Sequence, residues 1–150
     1  MKKFITLTLA LALAFGLVGC GQKTKINSGT ATADLSQITL AELKIGDNIN
    51  DIDLTGLGSD NQNKFWTYSF DEVYIKANES GVITKLQAPY GYSVAEVKAK
   101  YGESKNYVFD SEQRLRAFSY SDKTNGLAFT VVYEENGGGV VWVILEKRSK

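Results

Sequence analysis

The chain is short of the residues on which most catalytic and metal sites depend. Its 150 residues include no His, one Cys, one Pro and one Met. Without His it lacks the commonest metal ligand and an important general base, and a single Cys excludes an intrachain disulfide or a Cys-rich zinc site. The 17 basic and 17 acidic residues balance, whereas a dedicated nucleic-acid binder is strongly basic. We therefore expect no enzyme, no metal or cofactor, and no nucleic-acid partner.

The first 20 residues have the pattern of a secretory signal. Lys2 and Lys3 form a basic start, and an apolar stretch then runs to Val18, shorter than the roughly 20 residues that span a bilayer. The ending Leu17-Val18-Gly19-Cys20 resembles the bacterial lipobox. The resemblance implies that residues 1–19 are removed and that Cys20 carries lipid, palmitate included, which inserts into the bilayer. The alternative is an ordinary signal peptide followed by an incidental Cys.

A lipid anchor predicts both a location and a tether. The chain would lie on the extracytoplasmic face of the cell membrane, with a Gram-positive surface favoured over a periplasm. Residues 20–37 are rich in Thr, Ala, Ser and Gly, and such a segment buries too little apolar surface to offset the entropy of ordering it. We therefore predict a flexible tether over 20–37 and a folded domain over 38–150.

Two stretches of the domain recur in the same order, which indicates a duplicated unit. Residues 46–52 match 91–97, and residues 73–83 match 131–141. The two units would cover about 38–88 and 89–150. The alternative is a chance likeness between two generic helix starts and two generic hairpins.

Each unit has the pattern of a helix followed by strands. The helices are predicted at about 48–57 and 93–101, the second with a capping box of Ser93 and Glu96. Period-two alternation predicts seven strands, at 65–70, 73–77, 82–86, 107–109, 114–120, 127–134 and 140–145. The predicted fold class is α+β, with two tandem repeats forming one antiparallel sheet and short helices packed on one face.

The helix starts carry a resemblance to a known group. Ile45-Gly46-Asp47-Asn48-Ile49-Asn50-Asp51-Ile52 and the stretch from Tyr92 to Ser104 fit a pattern of Gly, polar residues, helix and hydrophobic-Gly. Behind a lipobox, a tandem pair of such units resembles the β-lactamase-inhibitor-protein-like superfamily. The resemblance implies an inhibitor-like, non-catalytic module that binds other proteins through an open sheet face.

The predicted binding residues lie on the sheet face opposite the helices, since an antiparallel sheet can leave one face uncovered. Apolar stripes predict the covered face: Trp66/Tyr68/Phe70, Val73/Ile75, Val82/Leu86 and Val140/Trp142/Ile144. Arg and aromatic residues are enriched at binding hot spots. We therefore predict a ligand-binding set on the open face: Tyr74, Lys76, Lys85, Arg114, Arg116, Phe118 and Tyr120. In the alternative, Phe118 and Tyr120 belong to the core and the arginines lie at a solvated strand end.

These features predict a membrane-anchored, non-catalytic lipoprotein that binds a protein or cell-envelope ligand. One alternative is an envelope hydrolase that uses two carboxylates in a cleft, although no motif singles out such a pair. Another is a structural surface lipoprotein with no catalytic role.

Overall fold

The computed structural model describes residues 30–137 and 139–148. The predicted signal peptide, Cys20 and the tether as far as residue 29 lie outside the described residues. Within those residues, no helix combines the length and apolar character needed to cross a membrane.

Eight strands and one α-helix make up the regular structure of the described residues. The helix α1 spans Val94–Tyr101, and the capping box is confirmed, because Ser93 Oγ accepts from Glu96 N while the Glu96 carboxylate accepts from Ser93 N. The seven predicted strands are all present, and an eighth precedes them. The bounds are β1 Thr30–Thr32, β2 Tyr68–Ser69, β3 Tyr74–Ala77, β4 Ile83–Ala88, β5 Tyr107–Asp110, β6 Leu115–Asp122, β7 Leu127–Glu134 and β8 Val140–Lys147.

All eight strands form one mixed sheet in the order β1-β6-β7-β8-β4-β3-β2, with β5 also paired to β6. β1 runs parallel to β6, and the other pairs are antiparallel. The last strands of the two proposed units, β4 and β8, lie side by side, with β2 and β3 of the first unit on one side and β6 and β7 of the second on the other. Isolated bridges join Asn48 to Val82 and Ser93 to Gly139, which are near-equivalent positions in the two units.

The predicted α+β class with a helix in each unit is wrong. The structure is mostly sheet, with 41% strand and 12% helix, and one α-helix in the described residues. Two short 3-10 turns, Ile49–Asp51 and Thr55–Leu57, take the place of the first predicted helix.

Polar side chains explain why the first helix does not form. Asn48 Oδ1 accepts from Asn50 N, and Asp53 Oδ1 accepts from Thr55 N. Short polar side chains that bond the backbone in this way offer it an alternative to the helical hydrogen bonds. Ile52 between them is extended, with φ −111° and ψ 135°. Residues 48–57 therefore have the apolar spacing of a helix, but their polar residues do not favour a helical backbone.

One sheet face is covered by α1 together with the segment 33–57. Phe118, Tyr120 and Phe129 supply the large side chains of this core from the sheet, and Val97 supplies the buried side chain of α1. The segment adds a row of buried aliphatic side chains: Leu35, Ile38, Leu40, Leu43 and Ile49. The irregular segment 33–57 thus covers the part of the sheet that we predicted a helix at about 48–57 would cover.

The fold begins earlier than predicted, because residues 30–37 belong to it. β1 pairs with residues 119–121 of β6, and Ala31 and Leu35 are fully buried. Asp122 Oδ2 accepts from Leu35 N at 2.9 Å and from Asn125 Nδ2 at 2.7 Å. These hydrogen bonds, those from Asn125 first, lower the pKa of the Asp122 carboxyl. The predicted tether boundary at Ile38 therefore needs correction to Thr30 at the latest.

Candidate functional site: the open sheet face

The face opposite α1, here called the open face, is defined by strand register. Ile75, Leu86, Val143 and Leu145 point into the core, so their neighbours along each strand point to the other side. One cross-strand row on that side runs Ser119, Thr130, Ile144, Gln87, Tyr74. The next row runs Ser121, Ala128, Glu146, Lys85, Lys76.

Two aromatic clusters flank the open face at its two ends. At the β5 end, the rings of Phe109 and Trp142 meet edge-on at 6.2 Å, and Trp142 packs on a small cluster of Leu115, Ala117 and Val132. At the β3 end, the rings of Trp66 and Tyr74 lie 5.7 Å apart. Both tryptophans of the chain are therefore on this face and half-exposed.

A group of hydroxyl side chains on β5, β6 and β7 lies beside the Phe109/Trp142 cluster. Ser119 Oγ lies 2.9 Å from Thr130 Oγ1 and 3.0 Å from the Tyr107 hydroxyl. Two strand spacings separate Trp142 on β8 from Tyr74 on β3, which is about 10 Å across the sheet. A ligand that joins the two clusters would pass over Ile144 and Gln87, the open-face residues of β8 and β4 in the row of Tyr74.

Three charged residues of the open face, Lys76, Lys85 and Glu146, lie on one row. Lys85 Nζ is 3.1 Å from Glu146 and also 5.7 Å from the centre of the Trp66 ring. Lys76 lies directly opposite Lys85 and is exposed. Because Glu146 is paired with Lys85, Lys76 carries the net positive charge of this row.

The structure brings together three of the predicted binding residues and separates the other four. Tyr74, Lys76 and Lys85 share the open face. Phe118 and Tyr120 have no exposed surface, and their prediction as exposed binding residues is wrong. Tyr120 donates its hydroxyl proton to Gly102 O at 2.8 Å, and burial raises the pKa of the phenol. On this strand the larger side chains take the core face, since they gain most from burial.

The two arginines lie at the far end of β6, away from Tyr74. Arg114 is exposed in the turn before the strand, with φ +56°. Arg116 has the same strand parity as Phe118 and lies 3.5 Å from Glu135. They are at a solvated strand end, which is the alternative we gave for them.

The predicted covered stripe of Val140, Trp142 and Ile144 does not hold as one face. A register shift opposite Val132 and Tyr133 inserts an extra residue near the start of β8, and such a bulge re-aims the side chains that follow it. Val140 packs on the main core, while Trp142 and Ile144 point to the open face. Trp66 likewise lies on the open face, although its neighbours Tyr68 and Phe70 pack with the core.

Sequence reasoning therefore missed Trp66, Phe109 and Trp142 as surface residues. The one available signal was the short uncharged run Tyr107-Val108-Phe109, whose three side chains are all exposed.

The described residues contain no candidate metal site. Across residues 30–137 and 139–148, no three side chains of His, Cys, Asp or Glu are close enough to hold an ion.

Comparison with known proteins finds no protein-family model, curated protein or solved structure that matches this chain.

Proposed function

We propose that the chain is a lipid-anchored extracytoplasmic lipoprotein that binds a protein or cell-envelope ligand through its open sheet face. The observation that carries the proposal is the pair of aromatic clusters on that face, Phe109/Trp142 and Trp66/Tyr74. Half-exposed Trp and Tyr side chains on a sheet are costly to leave in water and are typical of hot spots. The location rests on the lipobox resemblance at Cys20.

The binding half of the proposal is tested by capture from envelope extracts. The full chain and a Trp66→Ala/Trp142→Ala variant are displayed at equal density. We expect the wild-type chain to enrich one or more components that the double variant loses. Phe65→Ala is the matched control, because Phe65 is a 68% exposed aromatic residue next to Trp66. Equal capture by all three proteins, or none by the wild type, would contradict binding through the open face.

The anchoring half is tested separately. Cells that express the chain are fed an alkyne-tagged fatty acid, and labelling of the protein is measured by click chemistry. We expect labelling of the wild-type chain and its loss in Cys20→Ser. An unlabelled wild-type chain would contradict lipidation and leave the binding result standing.

The carboxylate hydrolase receives no comparable support. A groove of about 580 Å³ runs along α1 and is lined by Ser93, Val94, Ala95, Lys98, Ala99 and Glu103. Glu103 is the one carboxylate among these lining residues and is paired with Lys98 at 3.1 Å, whereas a glycosidase-type mechanism uses two.

A further inference from the structure

Strand β5 has an unusual combination of exposure and apolar character. Tyr107, Val108 and Phe109 are 42%, 56% and 41% exposed. Within the described part of the chain β5 pairs only with β6, so one side of its backbone has no strand partner. Natural edge strands are normally kept short or protected by charged side chains, because an open apolar edge is a template for another strand.

The other outer strands of the sheet show that protection. β2 has two residues, and β1 has three residues with small side chains, of which Ala31 is buried. β5 has four residues, three of them exposed, uncharged and aromatic or aliphatic, and its pairing with β6 shifts register between Val108 and Asp110. Among the described strands, β5 is therefore the outer strand with the most exposed apolar surface.

We propose that β5 pairs with the β5 strand of a second copy of this chain. In an antiparallel pair centred on Val108, each Val108 faces its symmetry mate and each Tyr107 faces the Phe109 of the other copy. Cross-strand aromatic pairs stabilise a sheet, and the three opposed residues of β5, Tyr107, Val108 and Phe109, carry no charge. The two-fold axis is perpendicular to the sheet, so the two open faces join on one side.

A second copy of this chain is favoured over another partner because the exposed side chains of β5 complement those of a second β5 in the antiparallel register centred on Val108. The pairing also agrees with a common attachment to one membrane. Thr30 pairs with Ser119, three positions along β6 from Arg116, the partner of Val108. The two Thr30 residues of the dimer are therefore about 20 Å apart along the strands. The ten residues back to Cys20 reach at most about 35 Å, so both anchors can enter the same bilayer.

A four-residue edge buries less surface than a stable interface requires. Confinement to a membrane raises the local concentration of such an interface, a step that rests on the lipid anchor proposed above. We therefore test the pairing in membranes, with the full chain.

Cys substitution tests the register directly. Directly opposed residues of an antiparallel pair have Cα atoms about 4.5–5.5 Å apart, within the range that a disulfide bridges. We expect Val108→Cys in isolated membranes, treated with an added mild oxidant, to form a dimer of doubled mass on a non-reducing gel. Co-expressed Tyr107→Cys and Phe109→Cys chains should cross-link to each other more than either does alone.

The controls separate self-pairing from its alternatives. Phe65→Cys places a more exposed thiol away from β5 and should stay monomeric, and the wild-type chain reports any cross-link through Cys20 itself. A wild-type dimer would show that Cys20 is a free thiol and would count against lipidation alone. Self-pairing is overturned if Val108→Cys reacts with a maleimide but forms no dimer, if Phe65→Cys cross-links equally, or if Val108→Cys joins a protein of different mass.

Discussion

The two faces of this sheet carry similar aromatic side chains, which are buried on one face and half-exposed on the other. On the covered face, Phe118, Tyr120 and Phe129 are sealed beneath α1 and residues 33–57. On the open face, Trp142, Trp66 and Tyr74 remain half-exposed, and none of the described segments packs as a layer above them. The comparison shows that apolar content does not tell which face is buried. The layer that packs on the sheet decides it, and here much of that layer is irregular chain.

The largest expected effect comes from the covered face. Phe118→Ala should lower the free energy of unfolding by about 3–5 kcal/mol, because it removes a fully buried ring and leaves a cavity. Phe65→Ala, at an exposed position, should change it by no more than about 0.5 kcal/mol. Urea denaturation of both variants measures the difference. Equal effects would mean that Phe118 is not in the core.

The irregular part of the covering layer is tested at Leu35. This side chain has no exposed surface, so Leu35→Ala should cost about 2–5 kcal/mol. A flexible tether would give no change. Unaltered stability in urea would therefore contradict the packing of residues 30–37 and restore the tether boundary at Ile38.

Local sequence patterns were sufficient to predict most of the strands. They were not sufficient to predict which face of the sheet is covered and which segments cover it. The alternation in residues 127–134 and the capping box at Ser93 specify their elements through neighbouring residues alone. The face of β8 depends on a bulge formed against β7, and Leu35 is held by Asp122, more than 80 residues away in sequence. β1 is paired only through long-range contacts, and Thr30-Ala31-Thr32 has no alternation to reveal it. Of the seven predicted binding residues, Tyr74, Lys76 and Lys85 are therefore the three that lie on the open face.

Acid should weaken the attachment of the N-terminal segment to the covered face. The pKa of Asp122 is lowered in the folded chain by its hydrogen bonds. The ionised Asp122 carboxylate therefore contributes to stability at a pH above its pKa in the unfolded chain, which is about 4. That contribution is lost as the pH falls through the lower pKa of the folded chain. Asp122→Asn should melt at a lower temperature than the wild type at pH 7 and lose part of the decline in melting temperature below about pH 4.

Asn125→Ala refines the same test. It removes the side chain that contributes most to lowering the Asp122 pKa, so the acid-induced loss of stability should be smaller and should end at a higher pH than in the wild type. Thermal melts from pH 7 to pH 2.5 measure both variants. An unchanged acid profile in both would show that Asp122 does not hold the segment.

The smallest effect on stability is expected on the open face, where the two tryptophans serve as reporters. Trp66→Phe and Trp142→Phe each leave one tryptophan and should change the free energy of unfolding by less than about 1 kcal/mol, since both side chains are half-exposed. In each variant, acrylamide should quench the fluorescence of the folded protein readily, because the remaining indole is half-exposed in the described part of the chain. Quenching that becomes efficient only in urea would mean that the open face is covered in solution. If it is open, a ligand that spans both aromatic clusters must protect both indoles, whereas one bound at a single end protects one. The two variants therefore also locate the bound ligand on the face.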